Sequence, residues 1–398
     1  MLQTTRSRSR EAPVEGPHTR RQCEILDETG FKLFARVAAA GIYALLVSVG
    51  AALFQPRPKR MRGEEEGAPG PRVRETTVQL SREELLKAYR QMRTIRDFED
   101  TVHEEFAAGN IPGFVHLYAG EEASGVGFCL HLNDQDRIAS THRGHGHCIA
   151  KGCDSKAMMK EIFGRKDGLC GGNGGSMHIA DLSKGMLGAN GIVGGGPPLI
   201  CGAALSSKTL KTGGVAIAFV GDGGSNQGTT LESMNLAKAW NLPAIFVFED
   251  NGYAESTASG WSVSGDLVER GKAYGIPSRR VDGHDFFEVW DAAREAIERA
   301  RNGEGPSVIH VKLARYYGHF EGDAMTYRAP GEIDRLKAEK DCLNMFRQRV
   351  TEAGLLEGDQ LDAIDKEVKS LIEQALAEAK AAPPPTEADL LTDVYASY

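Results

Sequence analysis

The sequence predicts an α/β protein: a doubly wound parallel sheet with flanking helices and a C-terminal helical region. Three observations carry this. Apolar runs at 216–220, 244–248 and 308–313 are short, uninterrupted and β-branched or aromatic, as strands buried on both faces of a parallel sheet must be. Helical stretches at 230–240 and 287–301 separate them, so strands and helices alternate. The 398 residues are 41% apolar and 26% charged, which allows a large core and excludes a disordered, collagen-like or disulfide-scaffold chain.

Taken in order, residues 1–74 form an extension unlike the rest. They hold eighteen residues without a charge (37–54), of which six are Ala and two Gly. As a helix this stretch would span about 27 Å, just short of a ~30 Å hydrocarbon core. Two readings stay open: a marginal transmembrane helix leaving the body in the cytoplasm, or an over-extended start with Met61 as the true initiator.

From Ser81 the pattern becomes globular. Ser81 followed by Glu83 and Glu84 has the form of a helix N-cap, and Leu85, Leu86, Tyr89, Met92 and Ile95 recur at helical spacing to about Ala108. Between Gly164 and Gly228 lie 19 glycines in 65 residues, the mark of backbone approached closely by a ligand or another chain. The helix at 287–301 ends at Asn302-Gly303, as helices tend to. Residues 333–353 and 359–382 read as two charged amphipathic helices, stopped by Pro383-Pro384-Pro385 before a tail at 383–398. The body is therefore placed at 75–382.

Charge narrows the function classes. Residues 1–74 carry 13 Lys/Arg against 8 Asp/Glu, and residues 75–398 carry 34 against 47. So acidic a body is not a nucleic-acid binder. Seven cysteines without a C-x-x-C pair fit neither a zinc knuckle nor a disulfide framework; most are expected to be small buried residues.

The chemistry sits at two strand ends. Gly221-Asp222-Gly223-Gly224-Ser225-Asn226 follows the first central strand, and Glu249-Asp250-Asn251-Gly252-Tyr253 follows the second. In a parallel sheet both emerge at the carboxyl edge, where ligands bind. Asp222 and Asn251 can then offer oxygens to one hard cation, while the glycines let backbone amides face an anion. The reading is a magnesium–diphosphate site. Gly-Asp-Gly alone is more often a tight turn; Asn251, 29 residues after Asp222 across a strand–helix–strand unit, reverses that balance.

That pair is the thiamine diphosphate signature. Gly174-Gly175-Ser176-Met177-His178, Gly191-Ile192-Val193-Gly194 and Tyr317-Gly318-His319 follow in the right order. From about Ser81 onward the chain resembles the alpha subunits of thiamine-dependent 2-oxo acid dehydrogenase first components. Within them it looks most like the acetoin dehydrogenase group, through Thr141-His142-Arg143-Gly144-His145-Gly146-His147, the Gly-Gly-Gly-Pro-Pro run at 194–198 and the ending Leu390-Leu391-Thr392-Asp393-Val394-Tyr395.

The resemblance implies a thiamine diphosphate-binding fold with thiamine diphosphate and Mg²⁺ as cofactors. It implies Asp222, Asn251 and the Tyr253 carbonyl as metal ligands, with Gly221, Gly223, Gly224 and Arg143 at the diphosphate. Gly191, Ile192 and Val193 would meet the aminopyrimidine. His319 would be the active-site histidine and contact the cofactor, with His145 the weaker candidate; His178 and Cys170 are left as structural. Acetoin would be cleaved to acetaldehyde and an acetyl-level two-carbon unit passed to a lipoyl acyltransferase, with dihydrolipoamide dehydrogenase downstream. A glutamate needed for activation is implied on a beta subunit, so the expected assembly is a heterotetramer of two alpha and two beta chains.

Three departures stand out. His142 replaces the Tyr that precedes the arginine in many relatives, Asp250-Asn251 replaces an Asn-Asn pair and adds a charge near the metal, and Phe320 stands where phosphorylated relatives carry Ser. The nearest alternative is the same chemistry on pyruvate or another 2-oxo acid. No G-x-G-x-x-G follows the 216–220 strand and no Gly-Lys-Ser/Thr occurs, which argues against nicotinamide and P-loop enzymes. A non-catalytic membrane-tethered scaffold is the remaining rival, and the intact Asp222, Asn251, Arg143 and His319 argue against it.

Overall fold

A computed structural model describes residues 80–392; the extension at 1–74, with the stretch 37–54, and the last residues of the tail lie outside them. In chain order the helices and strands are α1 (Arg82–Ala107), α2 (Glu122–Cys129), β1 (Arg137–Ala139), α3 (Gly144–Lys151), α4 (Ser155–Ile162), β2 (Met186–Gly188) and α5 (Gly196–Leu210). There follow β3 (Ala216–Gly221), a 3-10 turn (Gly224–Asn226), α6 (Gly228–Ala239), β4 (Ala244–Asp250), and a small hairpin of β5 (Tyr253–Ala254) and β6 (Thr257–Ala258). Then come α7 (Ser259–Ser262), α8 (Leu267–Ala273), β7 (Ser278–Asp282), α9 (Phe286–Arg301) and β8 (Ser307–Lys312). The chain closes with α10 (Glu332–Lys340), α11 (Cys342–Glu352), α12 (Gly358–Ala381) and a 3-10 turn (Glu387–Leu391).

The main sheet runs β2-β1-β3-β4-β8-β7, and every neighbouring pair is parallel. The period of two along each strand divides its side chains between two cores. Ile217, Phe219, Ile245, Val247, Ile309 and Val311 join a core with α1, α2, α9 and α12. Ala216, Ala218, Val220, Phe246, Phe248 and Val308 pack on the other face with Ile200, Ala204, Met234 and Ala237 of α5 and α6. Both faces are buried, which is why these strands read as unbroken apolar runs.

Ser81 caps α1 as its sequence implies: its hydroxyl accepts from the Glu84 amide at 3.2 Å, and Glu84 accepts from the Ser81 amide at 2.7 Å. The helix buries Leu85, Tyr89, Met92, Ile95, Phe98 and Val102. The expected single helix at 333–353 is instead two, α10 and α11, broken at Asp341. That residue leaves helical geometry (φ −70°, ψ 118°), accepts from the Asn344 amide at 3.0 Å to cap α11, and receives Arg96 Nη1 at 2.7 Å. The cap and the ion pair outweigh continuity of one amphipathic stripe. The short strands β1, β2 and β7 and helices α2 to α5 carry too little periodicity to be read from the sequence.

Among the described residues no cysteine is in a disulfide, and all but half-buried Cys170 are buried. No helix among them is long and apolar enough to cross a membrane.

Candidate active site

The sheet order reverses between β1 and β3, since β2 lies beyond β1 on one side and β4 beyond β3 on the other. Chain leaving two adjacent parallel strands in opposite directions opens a crevice at their carboxyl ends. A cavity of about 310 Å³ lies there. Its walls come from 140–143 after β1, 220–224 at the end of β3, Glu249, Asn251 and Tyr253 around the end of β4, and Arg315 and His319 after β8.

Asp222 is 3% exposed, and its Oδ2 is buried without a hydrogen-bond partner. Burial, and then the charge of Asp250, push its carboxyl up to about 6. A nearly buried carboxylate oxygen with no donor is costly unless a cation completes it. The backbone beside it is closely held: a Cβ on Gly223 would lie 2.7 Å from Ala254 Cβ, and one on Gly224 2.9 Å from Val220 Cγ1. Gly194, at φ +79°, would meet Gln227 Cβ at 2.7 Å. Side chains at these positions would displace the turns that bound the cavity.

Asn251 Nδ2 donates to Glu121 Oε1 at 2.9 Å, and the Tyr253 amide donates to Asn251 Oδ1 at 3.3 Å. Glu121 is 1% exposed, and burial together with the nearby Glu249 charge pushes its carboxyl up to about 8. Glu249 accepts from Tyr118 (2.5 Å) and Ser124 (2.7 Å) and lies 3.3 Å from His147 Nε2. Burial opposes its charge, but these partners hold its carboxyl below the usual range.

The extra acid Asp250 does not line this cavity. It sits 3.0 Å from His310 Nε2 and 2.8 Å from Lys312 Nζ, both on β8. Burial opposes ionisation, but those two partners outweigh it and hold the carboxyl well below its usual range. The charge expected near the metal is thus largely answered from the neighbouring strand.

Arg143 is 4% exposed; Nη1 donates to the Leu117 carbonyl at 2.8 Å, and Nη2 to the His319 carbonyl at 2.6 Å. Nη2 also lies 3.3 Å from His319 Nδ1. Because Arg donates only, Nδ1 is the acceptor and the neutral ring carries its proton on Nε2. Burial, then Arg143 and Arg315, lower His319 to about 4. His116, buried and facing the same cations, is lowered to about 3, and His142 falls further still.

Of the residues singled out in the sequence, Arg143, Gly191, Ile192, Val193, Gly221, Asp222, Gly223, Gly224, Asn251, Tyr253 and His319 all line the cavity. His145 does not line it. Its ring is buried, with Nδ1 2.9 Å from Glu99 and Nε2 2.9 Å from Ser176, so both nitrogens serve the interior. Ser176 in turn accepts from the His116 amide at 3.3 Å. The glycine-rich loop bearing Ser176 is gathered by buried Glu161, whose carboxylate accepts from the amides of Cys170, Gly172, Gly174 and Gly175 at 2.7–3.0 Å. Cys170 accepts from the Ala180 amide at 3.3 Å, a structural contact, and His178 is exposed. Sequence reasoning missed His116, Glu121, Glu249 and Arg315; the adjacent acids Glu121-Glu122 beside an apolar stretch were the only local signal.

Comparison with known proteins gives a consistent family. Residues 90–388 match the family described as Dehydrogenase E1 component. The chain is 64% identical over 320 residues to the alpha subunit of acetoin:2,6-dichlorophenolindophenol oxidoreductase of Cupriavidus necator, covering 80% of this chain and 96% of that one. It is 53% identical over 322 residues to the Bacillus subtilis protein of the same name, covering 81% and 96%. To the pyruvate dehydrogenase E1 component subunit alpha of Rhizobium meliloti it is 39% identical over 320 residues, covering 80% and 92%.

Proposed function

The chain belongs to the dehydrogenase E1 component family, and from that premise we propose that it is the alpha subunit of an acetoin dehydrogenase. It is a thiamine diphosphate-dependent oxidoreductase that cleaves acetoin to acetaldehyde and an acetyl-level unit passed to a lipoyl acyltransferase. The substrate assignment rests on identity: 64% and 53% to two acetoin oxidoreductase subunits against 39% to a pyruvate dehydrogenase subunit.

The residues present suit the cofactor. The observation that carries this is the partnerless Asp222 Oδ2 beside a glycine turn at the cavity wall. Asp222, Asn251 and the Tyr253 carbonyl would hold Mg²⁺, which prefers a few oxygen ligands and shares phosphate oxygens. Amides at Gly221, Gly223 and Gly224, with the charge of Arg143, would hold the diphosphate. Gly191, Ile192 and Val193 would bound the aminopyrimidine side. When bound, thiamine diphosphate supplies the nucleophile and the electron sink for cleaving the bond beside a carbonyl. His319, neutral at pH 7, presents an Nε2–H that can hydrogen-bond an oxygen gaining charge.

The body, 75–382, is proposed to work in the cytoplasm with a beta subunit, a lipoyl acyltransferase and dihydrolipoamide dehydrogenase. Ile192 and Val193 line the cavity yet are 73% and 50% exposed, and Leu199, Leu205 and Leu210 on α5 are exposed as well. A beta subunit covering that surface would exclude water from the cavity.

The test is acceptor-dye reduction by the chain purified with its beta subunit, on acetoin and on pyruvate, each with and without thiamine diphosphate and Mg²⁺. Cofactor-dependent turnover preferring acetoin is expected. Preference for pyruvate would overturn the substrate and keep the chemistry; no cofactor-dependent turnover on either would overturn both.

A further inference from the structure

The carboxamide of Asn251 presents two atoms of nearly equal shape and opposite character: Oδ1 accepts, and Nδ2 only donates. A hard cation takes oxygen alone, so the orientation of this group decides whether Asn251 is a ligand at all. Two contacts fix that orientation. Nδ2 donates to Glu121 Oε1 at 2.9 Å, and the Tyr253 amide donates to Oδ1 at 3.3 Å, which leaves that oxygen a second lone pair. Glu121 and Asn251 both line the cavity, as Asp222 does.

Glu121 is itself held in place. It is almost wholly buried, and its amide donates to the Tyr118 carbonyl at 3.1 Å. Gly120, just before it, lies at φ +97°, and a Cβ there would collide with the Ala314 carbonyl oxygen. The Gly120 amide donates to Glu122 Oε1 at 3.0 Å, and the Tyr316 amide donates to the Ala119 carbonyl at 3.0 Å, tying the turn to the segment after β8. A carboxyl oxygen placed this firmly accepts from Nδ2 whether or not its companion oxygen carries a proton.

We propose that Glu121 is a positioning residue of the metal site: by accepting from Asn251 Nδ2 it keeps Oδ1 turned to the cation. The proposal rests on the cofactor reading given above. Without that acceptor, binding a cation presses Nδ2 against a wall with nothing to receive its hydrogen, whereas the metal-free protein can turn the amide and satisfy it. Partners that orient a ligand in this way govern metal affinity without touching the metal.

The experiment titrates Mn²⁺ in place of Mg²⁺ and reads free Mn²⁺ by electron paramagnetic resonance. It uses the full chain in complex with its beta subunit and thiamine diphosphate, and needs no turnover. Glu121→Met keeps the length of the side chain and removes the acceptor, and Mn²⁺ affinity should fall about tenfold or more. Glu121→Gln returns a carbonyl oxygen to the same place and should recover most of that loss. Asn251→Asp has two equivalent oxygens, so adding Glu121→Met to it should cost no further affinity. Each variant is checked for cooperative unfolding. Unchanged affinity in Glu121→Met, equal losses in Glu121→Gln and Glu121→Met, or the full loss recurring beside Asn251→Asp would each overturn the positioning role and leave the site standing. No thiamine diphosphate-dependent Mn²⁺ binding by the wild type would overturn the cofactor reading and this proposal with it.

Discussion

Replacing Asp222 by Asn should make the cofactor-free protein more stable and cofactor binding worse. In the absence of a cation the carboxyl is buried, unpaired at Oδ2, and raised from 3.8 to about 6. A raised acid pKa means that the folded state holds its proton more tightly than the unfolded chain does. Stability is then highest below 3.8 and is lost as pH rises through about 6. The shift corresponds to about 3 kcal/mol at pH 7 and above, shrinking to about half at pH 5. Asn keeps the shape and the unpaired polar atom, so only the charge term is removed. At roughly 2 °C per kcal/mol for a chain of this size, Asp222→Asn should melt about 6 °C higher at pH 8 after chelation, and about 3 °C higher at pH 5. Thiamine diphosphate with Mg²⁺ should raise the wild-type melting temperature and leave the variant's unchanged. The assay is thermal unfolding of chelator-treated enzyme at both pH values, with and without cofactor. A variant no more stable than wild type at pH 8, or a gap that does not narrow at pH 5, would refute the buried-charge argument.

Other substitutions separate the cavity from its supports. His319→Ala should lower dye reduction by about 10²–10⁴. Cofactor affinity should change less than tenfold, because the 2.6 Å bond from Arg143 goes to the backbone carbonyl that Ala retains; full activity would remove His319 from the chemistry. Asp250→Asn should cost about 2 kcal/mol in urea unfolding through loss of the His310 and Lys312 interactions. Mg²⁺ affinity should move less than tenfold, because Asp250 does not line the cavity and reaches Asp222 only through its charge. Its depressed carboxyl stabilises the fold above the usual carboxylate range, so the gap should persist at pH 4 and close only in stronger acid. Gly146→Ala would put a Cβ 2.0 Å from Tyr118 Cδ1, inside the packing that holds Glu249. It should lower the urea midpoint by the equivalent of about 3 kcal/mol or more, and a wild-type midpoint would mean that Tyr118 can move aside.

The sequence by itself determined what depends on local order. Strands 216–220, 244–248 and 308–313 were legible because burial on both faces leaves an unbroken apolar run, and α9 and α12 because their buried positions recur at helical spacing. Asp222 and Asn251 were legible because one strand–helix–strand unit fixes both their spacing and the sheet edge at which they emerge. Only the tertiary structure decided which other groups meet them. Glu121 reaches Asn251 across 130 residues, and Asp250 finds its countercharge 62 residues away on β8. His145 and His319 each carry a plausible local motif, yet one is enclosed between Glu99 and Ser176 and the other opens on the cavity. Likewise 333–353 is amphipathic throughout, and it breaks at Asp341 because Arg96, from a helix almost 250 residues earlier, meets the carboxylate that caps α11. Such outcomes depend on sheet order and on contacts between distant segments, and neither leaves a period or a spacing in the chain.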